Sequence, residues 1–301
     1  MTDQQQPSPT LASKAALGHH TGRRPPSPSG LDAVMICART STVGALRGRR
    51  LFGLLILVGL PVLIQAVVLA VGRGRTVGFE NFVGVVQNIY LAMAMPLVSI
   101  FLGTAALGDE WDSGTAHHVV GLALPRWAIA CGRWISSCAR TLALVLPSVV
   151  CFYILALVPF EGALLHYIGD LAWIVAGTVL LALGYVSTFL FFGIALRHSI
   201  MTSFMFMIVF EWVLPNVTGL AYLSIGFHVR NLLWQLTGHE TFHSWTFDRF
   251  VEDPTPVAMT WSLLAVGIWV VVFLGLTTWK LHSRETGGSS ASPEVSGSAG
   301  A

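Results

Sequence analysis

Charge is what this sequence has least of. Only 11% of its 301 residues are Asp, Glu, Lys or Arg, while 54% are hydrophobic; a soluble globular domain carries about 25% charged residues. So few polar groups cannot cover a soluble core of this size, which excludes an ordinary globular enzyme. Lysine is almost missing, with Lys14 and Lys280 the only examples. Neither stands in a G-x-x-x-x-G-K-[ST] loop, so the chain has no P-loop of its own for ATP hydrolysis. Cysteine is scarce as well: Cys37, Cys131, Cys138 and Cys151 form no C-x-x-C pair, which argues against a disulfide framework or a zinc finger. The polar, basic first fifty residues lack the short apolar core of a cleavable signal peptide, so the first apolar run is expected to act as an uncleaved anchor.

What the chain does have is long apolar runs. Six of them, Leu51–Val71, Phe82–Leu107, Leu142–Pro159, Leu171–Leu196, Ile200–Ile225 and Val257–Trp279, are long enough to cross about 30 Å of hydrocarbon at about 1.5 Å per residue. The expected fold is an all-α integral membrane protein with six transmembrane helices. Pro61, Pro96 and Pro147 fall inside three of the runs, which is tolerated where neighbouring groups take up the freed carbonyl. With the N-terminus in the cytoplasm, 13 of the 17 Lys and Arg residues lie on the cytoplasmic side, among them Arg126, Arg133 and Arg140. Arg73, Arg75, Arg230 and Arg249 are left outside. The positive-inside rule then puts both termini in the cytoplasm of a multi-pass protein of the cell membrane. Residues 1–30 and 286–301 read as disordered tails flanking a 31–285 membrane domain.

One cytoplasmic loop carries chemistry. In Gly108–Arg133, Asp112 or Ser113 can cap a short helix, Pro125 should end it, and a second helical run from Trp127 leads into the third span. Acidic Asp109, Glu110 and Asp112 precede it and Arg126, Arg133 and Arg140 follow. Such a helix suits docking to a cytoplasmic partner; an amphipathic connector with solvated charges fits equally well.

The loop resembles that of the permease subunits of type-2 ABC exporters. Their pattern, E-x-x-x-G-T, an apolar turn, then P-x-[SR]-R and an apolar-Gly-Lys stretch, is matched by Glu110, Gly114, Thr115, Val119–Leu124, Pro125, Arg126, Ile129, Gly132 and Arg133. Arg126 follows Pro125 directly, and Arg133 stands where the family commonly has lysine. The likeness extends over residues 31–282, with an interfacial helix near 31–50 and a broken fifth span. It implies a coupling helix between spans two and three, seated in a groove of a separate ATPase subunit. It also implies two ATPase copies, a second permease copy as a homodimer, ATP and Mg used by the partner alone, and export of a hydrophobic or amphipathic cargo by alternating access. No cofactor is expected on this chain, and no nucleic acid among its partners.

Three polar residues in the runs are candidates for a substrate path. Glu211 lies in the fifth run just before Pro215 and Asn216. A carboxylate there is costly; it either stabilises a break in the helix by meeting freed backbone amides or faces substrate. Gln87 and Asn88 in the second run either line a path or bond between helices.

The segment after the fifth run contains "HETFH", a match to the H-E-x-x-H zinc signature formed by His239, Glu240 and His243. A zincin needs both histidines on one face of a continuous helix, and Gly238 interrupts it. A metalloenzyme using this cluster, and an ATP-independent transporter or scaffold, are the alternatives to the exporter subunit.

Overall fold

The computed structural model describes residues 30–45, 49–71, 78–112, 124–160, 162–217, 220–242 and 257–288. Among them there is helix and no strand. In an apolar solvent a helix is the one local structure that satisfies every backbone polar group by itself. Five helices are long and apolar enough to cross a membrane, so the chain is an all-α, membrane-embedded protein. Residues 1–29 and 289–301 of the two expected tails and residues 113–123 of the expected loop helix lie outside the described residues, while Gly30 and residues 286–288 belong to the first and last helices.

Helix α1 (Gly30–Ala45) precedes α2 (Arg49–Val71), which contains Pro61. The third helix, α3, is continuous through Phe79–Val85, a π-helical stretch Val86–Ala94, and Met95–Asp112. Pro125, in extended conformation, caps the start of α4 (Arg126–Leu157). Thus Pro125 opens a helix, and Arg126, Arg133 and Arg140 ride on the third span rather than in a loop. The four-residue α5 (Ala163–His166) leads into α6 (Ile168–Ala195). The last helix among the described residues is α9 (Met259–Gly288).

The fifth run breaks where Pro215 and Asn216 predict it to, and its helix does not continue to Ile225. Helix α7 starts as Ser199–Met207, widens to π-helix over Ile208–Val213 and ends in a 3-10 turn, Leu214–Asn216. After a second turn, Ala221–Leu223, a new helix begins, α8 (Ile225–Thr237). Sequence reading ended the fifth run at Ile225 and left Arg230 in the segment outside it. Instead every residue of α8 from Ile225 to Leu233 is buried.

Glycines set the closest approaches. A Cβ on Gly193 of α6 would lie 2.6 Å from the Thr104 carbonyl of α3, and one on Gly108 would lie 3.1 Å from the Gly193 carbonyl. Gly132 of α4 brings α1 equally near, at the Val34 carbonyl and Cys37. Along α6, Gly184 meets Ile225 and Gly177 meets Leu233, so α8 runs antiparallel to α6. Helices α3 and α6 form the centre, each with 67% of its apolar window buried, against 22% for α2 and 11% for α9. The main core gathers Phe82, Tyr90, Met95, Phe152, Tyr185 and Phe189.

Candidate functional site

The site begins with two prolines. Proline has no N–H, and its ring crowds the carbonyl four residues earlier. In α3 the π-helical stretch lies just ahead of Pro96, and the Ala92 carbonyl, four residues before it, accepts the Trp212 indole N–H of α7 at 3.3 Å. In α7 the π-helical stretch lies just ahead of Pro215. The two widened stretches therefore face each other, and Glu211 sits in the second.

Glu211 is buried and fully engaged. Its carboxylate accepts the Ser224 hydroxyl at 2.7 Å and the backbone N–H groups of Ile225 at 3.1 Å and Gly226 at 3.2 Å. The Ser224 oxygen meanwhile accepts the Phe227 N–H at 3.0 Å as N-cap of α8. A helix start leaves its first N–H groups unpaired and carries partial positive charge. Glu211 and Ser224 together take three of those N–H groups, and the carboxylate faces the positive end of the helix. Tyr185 of α6 also hydrogen-bonds the carboxylate, and Arg230 acts on it as the nearest countercharge. A methyl group on Gly226 would strike Glu211 and sit 3.2 Å from the Tyr185 hydroxyl and 3.5 Å from Arg230 Nη2. The guanidinium in turn donates through Nε to the Gly226 carbonyl at 3.2 Å. Of the two roles open to Glu211, these contacts supply that of stabilising the helix break.

Further along α8, the Asn231 amide donates to the Val257 carbonyl at 2.7 Å and the Ser262 hydroxyl at 2.9 Å. His228 lies 2.9 Å from the Tyr222 carbonyl. His228, Arg230 and Asn231 thus all find hydrogen-bond partners inside the protein.

At the other end of α8, Gly238 is a left-handed C-cap with φ 73°, and the next turn, Glu240–Phe242, is a three-residue 3-10 helix. The H-E-x-x-H residues therefore do not share a helix. His239 Nδ1 lies 3.2 Å from Glu80 Oε1 of α3, and Nε2 lies 3.4 Å from Asp170 Oδ2 of α6. Its ring also packs on Phe79. Both imidazole nitrogens are occupied by protein carboxylates, which ties the end of α8 to the starts of α3 and α6. Among the described residues no group of three or more His, Cys, Asp or Glu is arranged to hold a metal. His243 lies outside the described residues.

The remaining sequence candidates scatter. Gln87 is buried on α3, whereas Asn88 is exposed and donates to Gly84 one turn earlier in its own helix at 2.9 Å. Glu110 falls in the last turn of α3, and Gly114 and Thr115 lie outside the described residues. Pro125 and Arg126 start α4, and Arg133 reaches across to the Ala106 carbonyl of α3 at 3.3 Å. Neither a known family model nor a curated protein sequence matches the chain. Sequence reading missed Tyr185, Ser224, Gly226 and Arg230 around Glu211, and Glu80 and Asp170 around His239. Ser224 and Gly238 bracket thirteen residues with a cap at each end, and that was the available signal.

Proposed function

We propose that this chain is the membrane-spanning permease subunit of an ATP-driven exporter, working with a separate ATPase. The observation that carries this reading is the close packing of the helix ends that flank segment 113–123. Helix α3 enters that segment and α4 leaves it. The glycine contacts press α3 against α6, and Gly132 presses α4 against α1. A push delivered at the segment therefore moves four helices, which is what coupling ATP-driven closure to alternating access requires. The loop residues Glu110, Gly114, Thr115, Pro125, Arg126 and Arg133, with their likeness to the type-2 ABC exporter pattern, add a docking role to this leverage. In this reading α7 and α8 together make one broken crossing. It joins the five long helices to give six crossings, with both termini on the cytoplasmic side and α1 lying along the interface. Two copies of the chain and two ATPase subunits form the working unit, and the cargo is hydrophobic or amphipathic.

Affinity capture of the full chain from its native membrane tests this. A P-loop ATPase is expected in the eluate in stoichiometric amount, and Glu110→Ala with Arg133→Ala should strip it away. Capture without any ATPase, in detergent that keeps the chain monodisperse, sinks the reading.

The metalloenzyme alternative gains no support from the geometry, because His239 already has a carboxylate at each nitrogen and no helix continues through the motif.

A further inference from the structure

Two guanidinium groups are buried among the described residues, and they are treated differently. Arg230, 7% exposed, has Glu211 as its countercharge. Arg140 of α4, 9% exposed, donates only to the Ser136 carbonyl of its own helix at 3.3 Å and the Ser137 hydroxyl at 3.0 Å. A guanidinium carries five N–H donors and keeps its charge in any protein. Here only Nε and one donor of Nη2 are engaged, and both by neutral oxygens.

Among the described residues, the register of helices α1, α2, α3 and α6 places no carboxylate beside it. Arg133 to the Ala106 carbonyl and Ser137 to the Leu102 carbonyl fix one antiparallel alignment of α3 on α4, and that alignment sets Ser99 opposite Arg140. The acids of α3, from Asp109 to Asp112, lie ten or more residues further along, about 15 Å. On α1, Gly30 meets Trp127 and Cys37 meets Gly132, so Asp32 lies at least eight residues of α4 away, about 12 Å. Helix α2 has no acid, and its parallel register, fixed by Ser148 to the Val58 carbonyl at 2.6 Å, sets Arg50 level with Arg140. The one acid of α6 is Asp170, at the opposite end.

Around this cation are hydroxyls without partners. Ser99 Oγ and Thr141 Oγ1 are buried, and neither has a hydrogen-bond partner. Thr141 follows Arg140 directly, and the register set by Arg133–Ala106 and Ser137–Leu102 brings Ser99 of α3 level with them. Water can meet orphaned hydroxyls, but it cannot neutralise a buried charge, whose desolvation costs several kcal/mol unless an anion is present. We propose that Arg140, Ser99 and Thr141 form an anion-binding site between α3 and α4 that takes a carboxylate or phosphate group. The guanidinium supplies charge and paired donors, the geometry that suits such oxyanions, and the two hydroxyls complete the shell. The site lies level with the first turn of α2, where a soluble anion or the head of an anionic amphiphile in the bilayer could each arrive. It does not depend on whether an ATPase drives the molecule.

The test uses the purified full chain in neutral detergent, with inorganic phosphate and dodecyl phosphate as probes and the melting temperature as readout. The wild type is expected to gain several degrees from at least one probe. A response to inorganic phosphate identifies a soluble anion; a response to dodecyl phosphate alone identifies an amphiphile head. Either response should vanish in Arg140→Gln. Ser99→Asp places a carboxylate opposite the guanidinium, so it should raise the ligand-free melting temperature and abolish both responses. Thr141→Val should weaken binding about tenfold, the loss of roughly one hydrogen bond, and carries the test together with Ser99→Asp if Arg140→Gln fails to fold. The proposal is overturned if neither probe stabilises the wild type. It is equally overturned if the response survives in Arg140→Gln, or if Ser99→Asp lowers the melting temperature and keeps the response.

Discussion

At the scale of single residues, Glu211 is a capping group supplied from outside the helix it caps. Ser224 already fills the N-cap of α8, worth about 1 kcal/mol in a typical helix. What Glu211 adds is a charge at the positive end of α8 and a counterion for Arg230. Removing one member of a buried pair costs about 3–5 kcal/mol, because the other is left charged and alone. Glu211→Ala should therefore destabilise the protein by that amount, and Glu211→Gln by about half as much, since an amide oxygen still accepts an N–H. Thermal unfolding of the purified variants in detergent reads both. An alanine variant with unchanged melting would remove Glu211 from any structural role. Half of this was legible beforehand, because Pro215 and Asn216 placed a helix break beside the acid. Arg230 was not, because nothing local in the sequence says that residues 211 and 230 return to the same place.

At the scale of elements, glycine spacing and proline position determine how helices meet. Gly193 permits backbone contact because a Cβ there would lie 2.6 Å from the Thr104 carbonyl, whereas Gly59 of α2 has nothing within 4 Å. The two make a controlled pair. Gly193→Ala should force α3 and α6 apart and cost about 1–3 kcal/mol, as overpacking does. Gly59→Ala should be neutral or stabilising by up to about 1 kcal/mol, since it only removes unfolded-state freedom. Equal effects at both positions, measured by thermal unfolding, would show that the α3–α6 contact is unimportant. The long helices were readable from hydrophobic length alone, and the prolines marked where two of them widen. Helix α8 was not readable that way. Its buried face carries His228, Arg230 and Asn231, whose partners lie on α7, α9 and the turn before it, so an apolarity scan sees only a polar loop.

At the scale of the whole molecule, the open question of architecture is one of parity. Five long helices alone would leave the two termini on opposite faces of the membrane. The path of the chain between α6 and α9 argues for an even number. Gly184 packs on Ile225 where α8 starts, and Asp170 meets His239 where it ends. Those two points are fourteen residues apart on α6, about 21 Å of rise. Helix α7 begins at the other end of α6, two residues after Arg197, and Trp212 reaches Ala92 in the middle of α3. In the proposed reading α7 covers one half of the depth and α8 the other, with Glu211 at the junction. A reporter enzyme active only outside the cytoplasm, fused in turn to the first residue and to Ala301, should be inactive in both positions, and active when inserted in segment 243–256. One active and one inactive terminal fusion would mean that α7 and α8 form a re-entrant pair that does not cross. Segment 113–123 lies two crossings after the first residue and faces the cytoplasm whenever that residue does, so an active fusion at the first residue is the outcome that sinks the exporter reading.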